Sequence, residues 1–127
     1  MRIGAAQIPV TTNVEDNLKN ILEACDWAVK NKLDYLLTPE CALSGYDTMT
    51  WNLNTCGPTE QAMEKLKEYS RDTGLGLAIG TLWIYDKDKQ VTGFGNGIHR
   101  NQLTFIQKGE IIGYVAKRNV AECDYMC

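Results

Sequence analysis

The first 30 residues combine a strand-like pattern with a helix-like one. The segment RIGAAQIPV is rich in small and β-branched residues and runs to Pro9, which predicts a first buried strand. After Thr12 and Asn13, both good helix caps, apolar residues recur every three or four positions as far as about Lys30. This stripe comprises Val14, Leu18, Ile21, Leu22, Cys25, Ala28 and Val29. It predicts an amphipathic helix with one face toward the core.

A second strand, a second helix and a third strand are predicted next. The segment LDYLLTP reads as a strand that Pro39 ends, because proline cannot donate to a sheet ladder. A polar loop leads to Pro58, a favoured first-turn residue, and the helix that follows ends near Gly74. Its inward residues are Met63, Leu66 and Tyr69. The continuously apolar LGLAIGTLWIY predicts a third strand that is buried on both faces.

The second half of the chain changes to a pattern of strands and tight turns. DKDKQ and QKGE predict turns, and GIHRNQLTFI and IIGYVAKRN predict strands. A parallel βαβ unit followed by an antiparallel meander is therefore expected. The chain shows no linker or internal repeat, so we expect one α/β domain over residues 1–127.

Composition and charge exclude several classes of partner. The 127 residues are 44% hydrophobic and 23% charged, as in folded soluble domains. The net charge of −3, without a run of lysine or arginine, argues against nucleic acid or anionic lipid as a partner. No segment has the roughly 18 apolar residues of a membrane span or the pattern of a signal peptide. We expect a cytoplasmic protein, with no membrane association, that acts on small molecules.

The cysteines, histidine and glycines limit the chemistry further. No C-x-x-C or paired zinc spacing occurs among the five cysteines, so we expect free thiols and no metal site. The cysteines are Cys25, Cys41, Cys56, Cys123 and Cys127. A cysteine–histidine or serine–histidine site would need His99, the single histidine. No G-x-G-x-x-G lies between a strand and a helix, so no dinucleotide cofactor is expected.

Two charged residues lie at the ends of predicted strands, where sites form in mostly parallel sheets. Glu40 follows the second strand beside Leu36, Leu37 and Leu43, and we expect it to be partly desolvated, which favours a general base. Lys117 follows the last strand, 77 residues later, where an ammonium could stabilise developing charge. A solvated glutamate after a proline turn and an ordinary surface lysine are the alternatives. Their spacing in the sequence does not establish that the two side chains meet.

Five segments carry a resemblance in their order along the chain. They are GAAQIPV, LLTPECALSGY, GLAIGTL, GNGIH and GEIIGYVAKRNV. Together they resemble the N-terminal half of the nitrilase superfamily of carbon–nitrogen hydrolases. The resemblance implies an α/β fold of the αββα sandwich type, association into homo-oligomers, and a Glu-Lys-Cys triad. That triad hydrolyses nitriles, amides, ureido compounds or the amide of glutamine, without metal or organic cofactor.

The resemblance also assigns roles to the two strand-end residues. Glu40, in TPE, takes the position of the general base, and Lys117, in YVAK, that of the lysine that stabilises the tetrahedral intermediate. The nucleophilic cysteine of the family lies some tens of residues beyond the lysine, whereas this sequence ends ten residues after Lys117. Cys123 and Cys127 therefore follow the lysine too closely. Cys41, in a segment expected to be extended, should point away from Glu40.

We therefore expect residues 1–127 to be a partial carbon–nitrogen hydrolase domain that holds the base and the lysine and lacks the nucleophile. Alone it should be inactive, and it should expose apolar sheet surface that favours association. The alternative is a non-catalytic binding or assembly module with the same fold. A third hypothesis is a small α/β domain that binds an anion at a helix start near Thr12 or Thr59.

Overall fold

A computed structural model describes the backbone of residues 1–46, 53–91 and 95–118, and the side chains of residues 1–46, 57–83 and 100–118. The elements are β1 Ile3–Ala5, α1 Val14–Lys30, β2 Tyr35–Leu37, α2 Leu53–Thr73, β3 Gly76–Val91, β4 Gly95–Gln107 and β5 Glu110–Ala116. They form a five-stranded sheet in the order β1-β2-β3-β4-β5. The first three strands are parallel and the last three antiparallel, which confirms the predicted α/β arrangement.

Helix α1 begins and packs as its sequence predicts. The side chain of Asn13 accepts a hydrogen bond from the backbone N–H of Asp16 at 2.9 Å, which caps the helix. The buried positions of the stripe are Val14, Leu18, Ile21, Cys25 and Ala28. Leu22 is partly buried and Val29 is 39% exposed, so the packed stripe is narrower than predicted. Each fully buried aliphatic side chain contributes about 1.5–3 kcal/mol to folding.

Both helices and the strands contribute to one hydrophobic core. The helix residues Ile21 and Leu66 and the strand residues Leu36, Leu77 and Ile106 are buried in the same cluster. Residues 75–82 are all buried, which confirms the prediction for the start of β3. The described helices thus form one layer on a single sheet. None of them is long and apolar enough to cross a membrane.

The sheet face opposite this core is partly exposed. The side-chain period of two in a strand places Ile3, Leu37 and Val115 on that face, because Leu36 and Leu77 point into the helix layer. Ile3 is 57% exposed and Val115 is 59% exposed. The predicted exposure of apolar sheet surface is therefore observed. Strand β1 has three residues and lies at the edge of the sheet, so it is not the buried strand that its composition predicted.

Two other boundaries differ from the sequence-based prediction. Helix α2 begins at Leu53 and not at Pro58, so Pro58 lies inside the helix. Thr59, 4% exposed, therefore lies beyond the first turn of α2 and offers no helix start for an anion. DKDKQ does not form a turn: β3 continues through it, and the pairing with β4 shifts register between Tyr85 and Gln90. Its charged side chains made an irregular strand look like a turn.

The second predicted turn is confirmed. Lys108 and Gly109 connect β4 to β5 with positive φ angles of 51° and 81°. Positive φ at both central residues is the pattern of a type I′ turn, whose twist matches that of the strands it joins. The turn fixes the β4–β5 register, in which Gln102 pairs with Ala116. The C-terminal end of β5 therefore lies beside the middle of β4, and Lys117 follows directly after it.

Candidate active site

The segment that carries Glu40 leaves β2 and remains attached to β3. Hydrogen bonds from Thr38 to Ala78, Gly80 to Thr38, Leu43 to Gly80 and Leu82 to Ser44 hold it there, at 3.0, 2.9, 3.0 and 2.9 Å. Two of the four use a side-chain hydroxyl oxygen as the acceptor, from Thr38 and from Ser44. These contacts turn LLTPECALSG from a strand into a fixed loop, with Glu40 at its apex.

Glycine at position 80 allows this loop to lie directly against the strand. A Cβ at position 80 would lie 2.1 Å from the carbonyl oxygen of Pro39 and 3.0 Å from the amide nitrogen of Cys41. Both contacts are with backbone atoms, so no side-chain rotation could relieve them. The close approach of the two backbones therefore requires glycine.

A buried asparagine attaches the other end of the loop to α1. Asn17 is fully buried, and its Nδ2 donates to the carbonyl oxygens of Thr11 at 2.8 Å and Leu43 at 3.3 Å. Its Oδ1 accepts from the backbone N–H of Thr11 at 2.7 Å. A buried amide that makes all these bonds avoids the desolvation cost of an unpaired polar group. The position of the Glu40 loop is thus fixed by both the sheet and the helix.

Glu40 and Lys117 meet, which their sequence positions alone did not establish. Lys117 Nζ lies 2.9 Å from Glu40 Oε1, across 77 residues of sequence. Asn101, in the middle of β4, donates from Nδ2 to the same oxygen. No hydrogen bond from the described residues reaches Glu40 Oε2. The carboxylate is therefore held through one oxygen, while the other is open to accept a proton.

A cavity of about 320 Å³ adjoins this cluster. Its lining residues are Glu40, Gly80, Asn101, Gln102, Leu103, Val115, Ala116 and Lys117. The charged groups thus lie beside an apolar surface formed by β4 and β5. A polar reacting group and an apolar substituent of one small molecule could be accommodated together there.

The exposure of Glu40 corrects one expectation. Its side chain is 52% exposed, so the described residues do not desolvate it as its apolar sequence neighbours predicted. Leu36 and Leu43 are buried in the helix-side core, on the other side of the sheet from the carboxylate. An ion pair with this exposure contributes only about 0–1 kcal/mol to stability. Stability alone is therefore a weak explanation for bringing these two residues together.

Sequence reasoning missed Asn101. Its only signal is an asparagine in the middle of a predicted strand, where β-propensity is low. Nothing in its neighbours GIHR and QLTFI points to Glu40, because the contact depends on strand register. The side chain of His99 lies outside the described residues. No group of three histidine, cysteine, aspartate or glutamate residues suited to a metal occurs within the part of the chain that the structure describes.

The two described cysteines are both buried and free of disulfides. Cys41 is fully buried although it adjoins the half-exposed Glu40, so the thiol and the carboxylate point to different sides. The predicted extended conformation is wrong at this residue, because Cys41 has a φ of 53°. Cys25 packs in the core, as predicted. The side chains of Cys56, Cys123 and Cys127 lie outside the described residues.

We expect Cys25 to resist alkylation in the folded protein. Burial, and secondarily the charge of Asp26, raises the pKa of its thiol to about 12. Since the thiolate is the reactive form, almost none is present at pH 8. Iodoacetamide labelling followed by peptide mass spectrometry should find Cys25 modified in 6 M urea and unmodified without it. Equal labelling rates in the two conditions would contradict the assignment of Cys25 as a core residue.

Comparison with known proteins agrees with this geometry. The family model for carbon-nitrogen hydrolases matches residues 2–126. Nitrilase homolog 2 of Dictyostelium discoideum is 26% identical over 123 residues, which cover 97% of this chain and 36% of that protein. The chain therefore spans about a third of the length of this curated relative.

Solved structures show the same fold. A glutamine-dependent NAD(+) synthetase from Cytophaga hutchinsonii is 25% identical, with a TM-score of 0.71 over 96% of this chain and 20% of that one. An amidase from Nesterenkonia sp. is 20% identical, with a TM-score of 0.68 over 95% of this chain and 44% of that one. The described elements thus correspond to part of a nitrilase-type α/β fold. The chain belongs to the carbon-nitrogen hydrolase family.

Proposed function

We propose that this chain supplies the general base, Glu40, and the stabilising lysine, Lys117, of a hydrolase that cleaves non-peptide carbon–nitrogen bonds in amides or nitriles. The observation that carries the proposal is the 2.9 Å contact between Lys117 Nζ and Glu40 Oε1. Both residues occupy the positions that the family resemblance assigns to these roles. The nucleophilic thiol comes from outside the described residues.

The open oxygen of Glu40 suits it to serve as the base. Lys117 and Asn101 both donate to Oε1, and Oε2 remains available to accept the thiol proton. The resulting thiolate attacks the amide carbon, and the negative charge develops on the substrate oxygen. The ammonium of Lys117 stabilises that charge because it is already held beside the reacting groups.

The remaining steps return Glu40 to its starting state. The tetrahedral intermediate collapses to a thioester as the C–N bond breaks, and Glu40 gives its proton to the departing ammonia or amine. Glu40 then accepts a proton from water, whose oxygen attacks the thioester carbon. The C–S bond breaks, the acid is released, and the thiol regains its proton. One carboxylate thus acts as base and acid in both halves of the reaction.

Amides are the substrates to test first. The names of two solved relatives include an amidase and a glutamine-dependent synthetase. An amidase cleaves an amide, and the side chain of glutamine is an amide, so both names indicate this functional group. The apolar wall of the cavity, with Leu103 and Val115, favours an acyl group with a small aliphatic substituent.

The exposed face of the sheet also supports association. Ile3, Leu37 and Val115 present apolar surface that a second sheet or a second copy would cover. A homo-oligomer in the cytoplasm is the assembly that we propose. Covering this face would also remove water from around Glu40, which borders it, and so supply the desolvation that the described residues lack.

Ammonia release tests the proposal. Aliphatic amides, nitriles and glutamine would be incubated with the protein expressed from its complete gene and, in parallel, with residues 1–127. We expect Lys117→Met to lower kcat by about 10²–10³-fold, because it removes the charge beside the developing anion. Lys67→Met is the matched control, since Lys67 forms an ion pair with Glu64 at 3.0 Å on α2.

The outcomes separate the alternatives. Activity in the complete product alone would locate the thiol beyond Cys127, whereas activity in residues 1–127 would locate it among the cysteines outside the described part. Folded protein that releases no ammonia from any substrate would refute the hydrolase and favour a binding or assembly module. Equal losses in Lys117→Met and Lys67→Met would remove Lys117 from the mechanism.

A further inference from the structure

We propose that Asn101 is a positioning residue that holds Glu40 and Lys117 in their reactive arrangement. The inference rests on the proposed function, because the arrangement is reactive only if Glu40 and Lys117 have the proposed roles. Its geometric basis is two contacts of Asn101. Asn101 donates from Nδ2 to Glu40 Oε1. Its carbonyl oxygen accepts the backbone N–H of Lys117 at 2.8 Å. One residue of β4 therefore contacts both charged residues, one through its side chain and the other through its backbone.

The location of Asn101 in the sheet explains these two contacts. Asn101 pairs with Leu82 of β3, next to the loop that carries Glu40, and its other neighbour is β5. Strand β5 ends at Ala116, so the bond to Lys117 is the first one beyond the strand. This bond holds the backbone of Lys117 against β4 and so fixes the point from which the lysine side chain extends. The side chain of Asn101, on the sheet face opposite the helices, points toward the carboxylate.

The chemistry of the amide suits this role. A carboxylate that is 52% exposed can rotate about its side-chain torsions, and an ion pair with one lysine leaves that rotation open. A second donor to the same oxygen restricts that rotation and leaves Oε2 without a donor from the described residues. Since an amide carries no charge, it adds this constraint without competing with Lys117 for a developing anion.

A purely structural role is a poor explanation for asparagine here. Strand interiors favour β-branched and aromatic residues, and the neighbouring positions Leu103 and Phe105 of the same face are apolar. A valine or threonine at position 101 would preserve the backbone bond to Lys117. Only the side-chain donor to Glu40 would be lost. The side chain of residue 101 thus determines the contact with Glu40, whereas its backbone forms the bond to Lys117.

The test uses Asn101→Ala, with Asn101→Val as a strand-favouring second variant. Asn20→Ala is the control, because Asn20 Nδ2 also donates one hydrogen bond, to the carbonyl oxygen of Pro9 at 3.3 Å on the surface. The carboxyl carbons of glutamate would be labelled with ¹³C in the protein, and Glu40→Gln would identify the Glu40 signal. The chemical shift of that signal at pH 7 then reports the surroundings of the Glu40 carboxylate directly, and its measurement requires no turnover.

We expect the chemical shift of the Glu40 carboxyl carbon at pH 7 to change in both Asn101 variants, because the carboxylate loses a hydrogen-bond donor. Asn20→Ala should leave it unchanged. In both Asn101 variants, kcat/KM at pH 7 should fall about tenfold. A variant that was merely less stable would lower the amount of active enzyme without moving the Glu40 signal of the folded protein.

Failure of this inference is distinguishable from failure of the proposed function. A Glu40 carboxyl signal at the same chemical shift in folded Asn101→Val, in Asn20→Ala and in the unsubstituted protein would overturn the role of Asn101, whether or not the protein is active. A Glu40 signal that moves in the Asn101 variants of a protein without turnover would support the positioning role and refute the hydrolase.

Discussion

Replacing Glu40 by glutamine should lower kcat for amide hydrolysis by about a thousandfold and leave the fold intact. Glutamine has the same shape, and its Oε1 can still accept hydrogen bonds from Lys117 and Asn101 in the observed arrangement. What it lacks is the second oxygen that accepts a proton. The loss therefore measures proton transfer with little contribution from lost packing. Ammonia release at saturating amide, with circular dichroism for the fold, provides the measurement.

A surface carboxylate provides the control for Glu40→Gln. Glu64 is 65% exposed and forms an ion pair with Lys67 at 3.0 Å, so Glu64→Gln removes the same charge from a similar setting. Its kcat should remain within about twofold of the unsubstituted protein. If Glu40→Gln also kept most of its activity, Glu40 would not be the base, and its contact with Lys117 would be an ordinary surface ion pair.

The sequence correctly predicted the elements in which the pattern of apolar residues matches the pattern of buried positions. The stripe of α1 is regular and its cap Asn13 forms the expected bond, so its start was predictable to one residue. The strand after Gly74 was predictable because its residues are continuously apolar and buried. DKDKQ was misread because its polar composition is typical of a turn, whereas the backbone continues β3 through it with a shift in register.

The candidate site was predictable only in part, because its residues are far apart in the sequence. Glu40 and Lys117 were each identified from their places at strand ends and from the family resemblance. Their 2.9 Å contact depends on the order and register of four strands, which no local pattern encodes. Asn101 was missed for the same reason. The exposure of Glu40 was mispredicted because its apolar neighbours Leu36 and Leu43 pack on the other side of the sheet.

The position of Glu40 therefore depends more on the hydrogen bonds that hold its loop than on its own ion pair. The Glu40–Lys117 pair is partly exposed, and such pairs contribute about 0–1 kcal/mol. The loop that carries Glu40 is instead held by hydrogen bonds of Thr38, Leu43 and Ser44 to β3, and by Asn17 of α1. Changes to this support should move Glu40 even when the charged residues are unaltered.

Gly80→Ala is the substitution that should disturb this support most. The new Cβ would lie 2.1 Å from the carbonyl oxygen of Pro39, a distance that real Cβ atoms do not show. The loop must move away from β3 or the strand must bend, and overpacking of this kind costs about 1–3 kcal/mol. We expect a loss near the upper end, about 3 kcal/mol, because both sides of the contact are backbone. Urea unfolding monitored by circular dichroism measures it.

A glycine on another strand, β5, separates this effect from the general cost of replacing glycine. Gly113 of β5 has no atom within 4 Å of an added Cβ, so Gly113→Ala should be neutral or stabilise the protein by about 0.4–1 kcal/mol. In Gly80→Ala, kcat should fall along with stability, because the displaced loop takes Glu40 away from Lys117. Equal unfolding free energies for the two variants would mean that the loop does not need its close contact with β3. Lost stability with unchanged kcat would mean that Glu40 keeps its position without that contact.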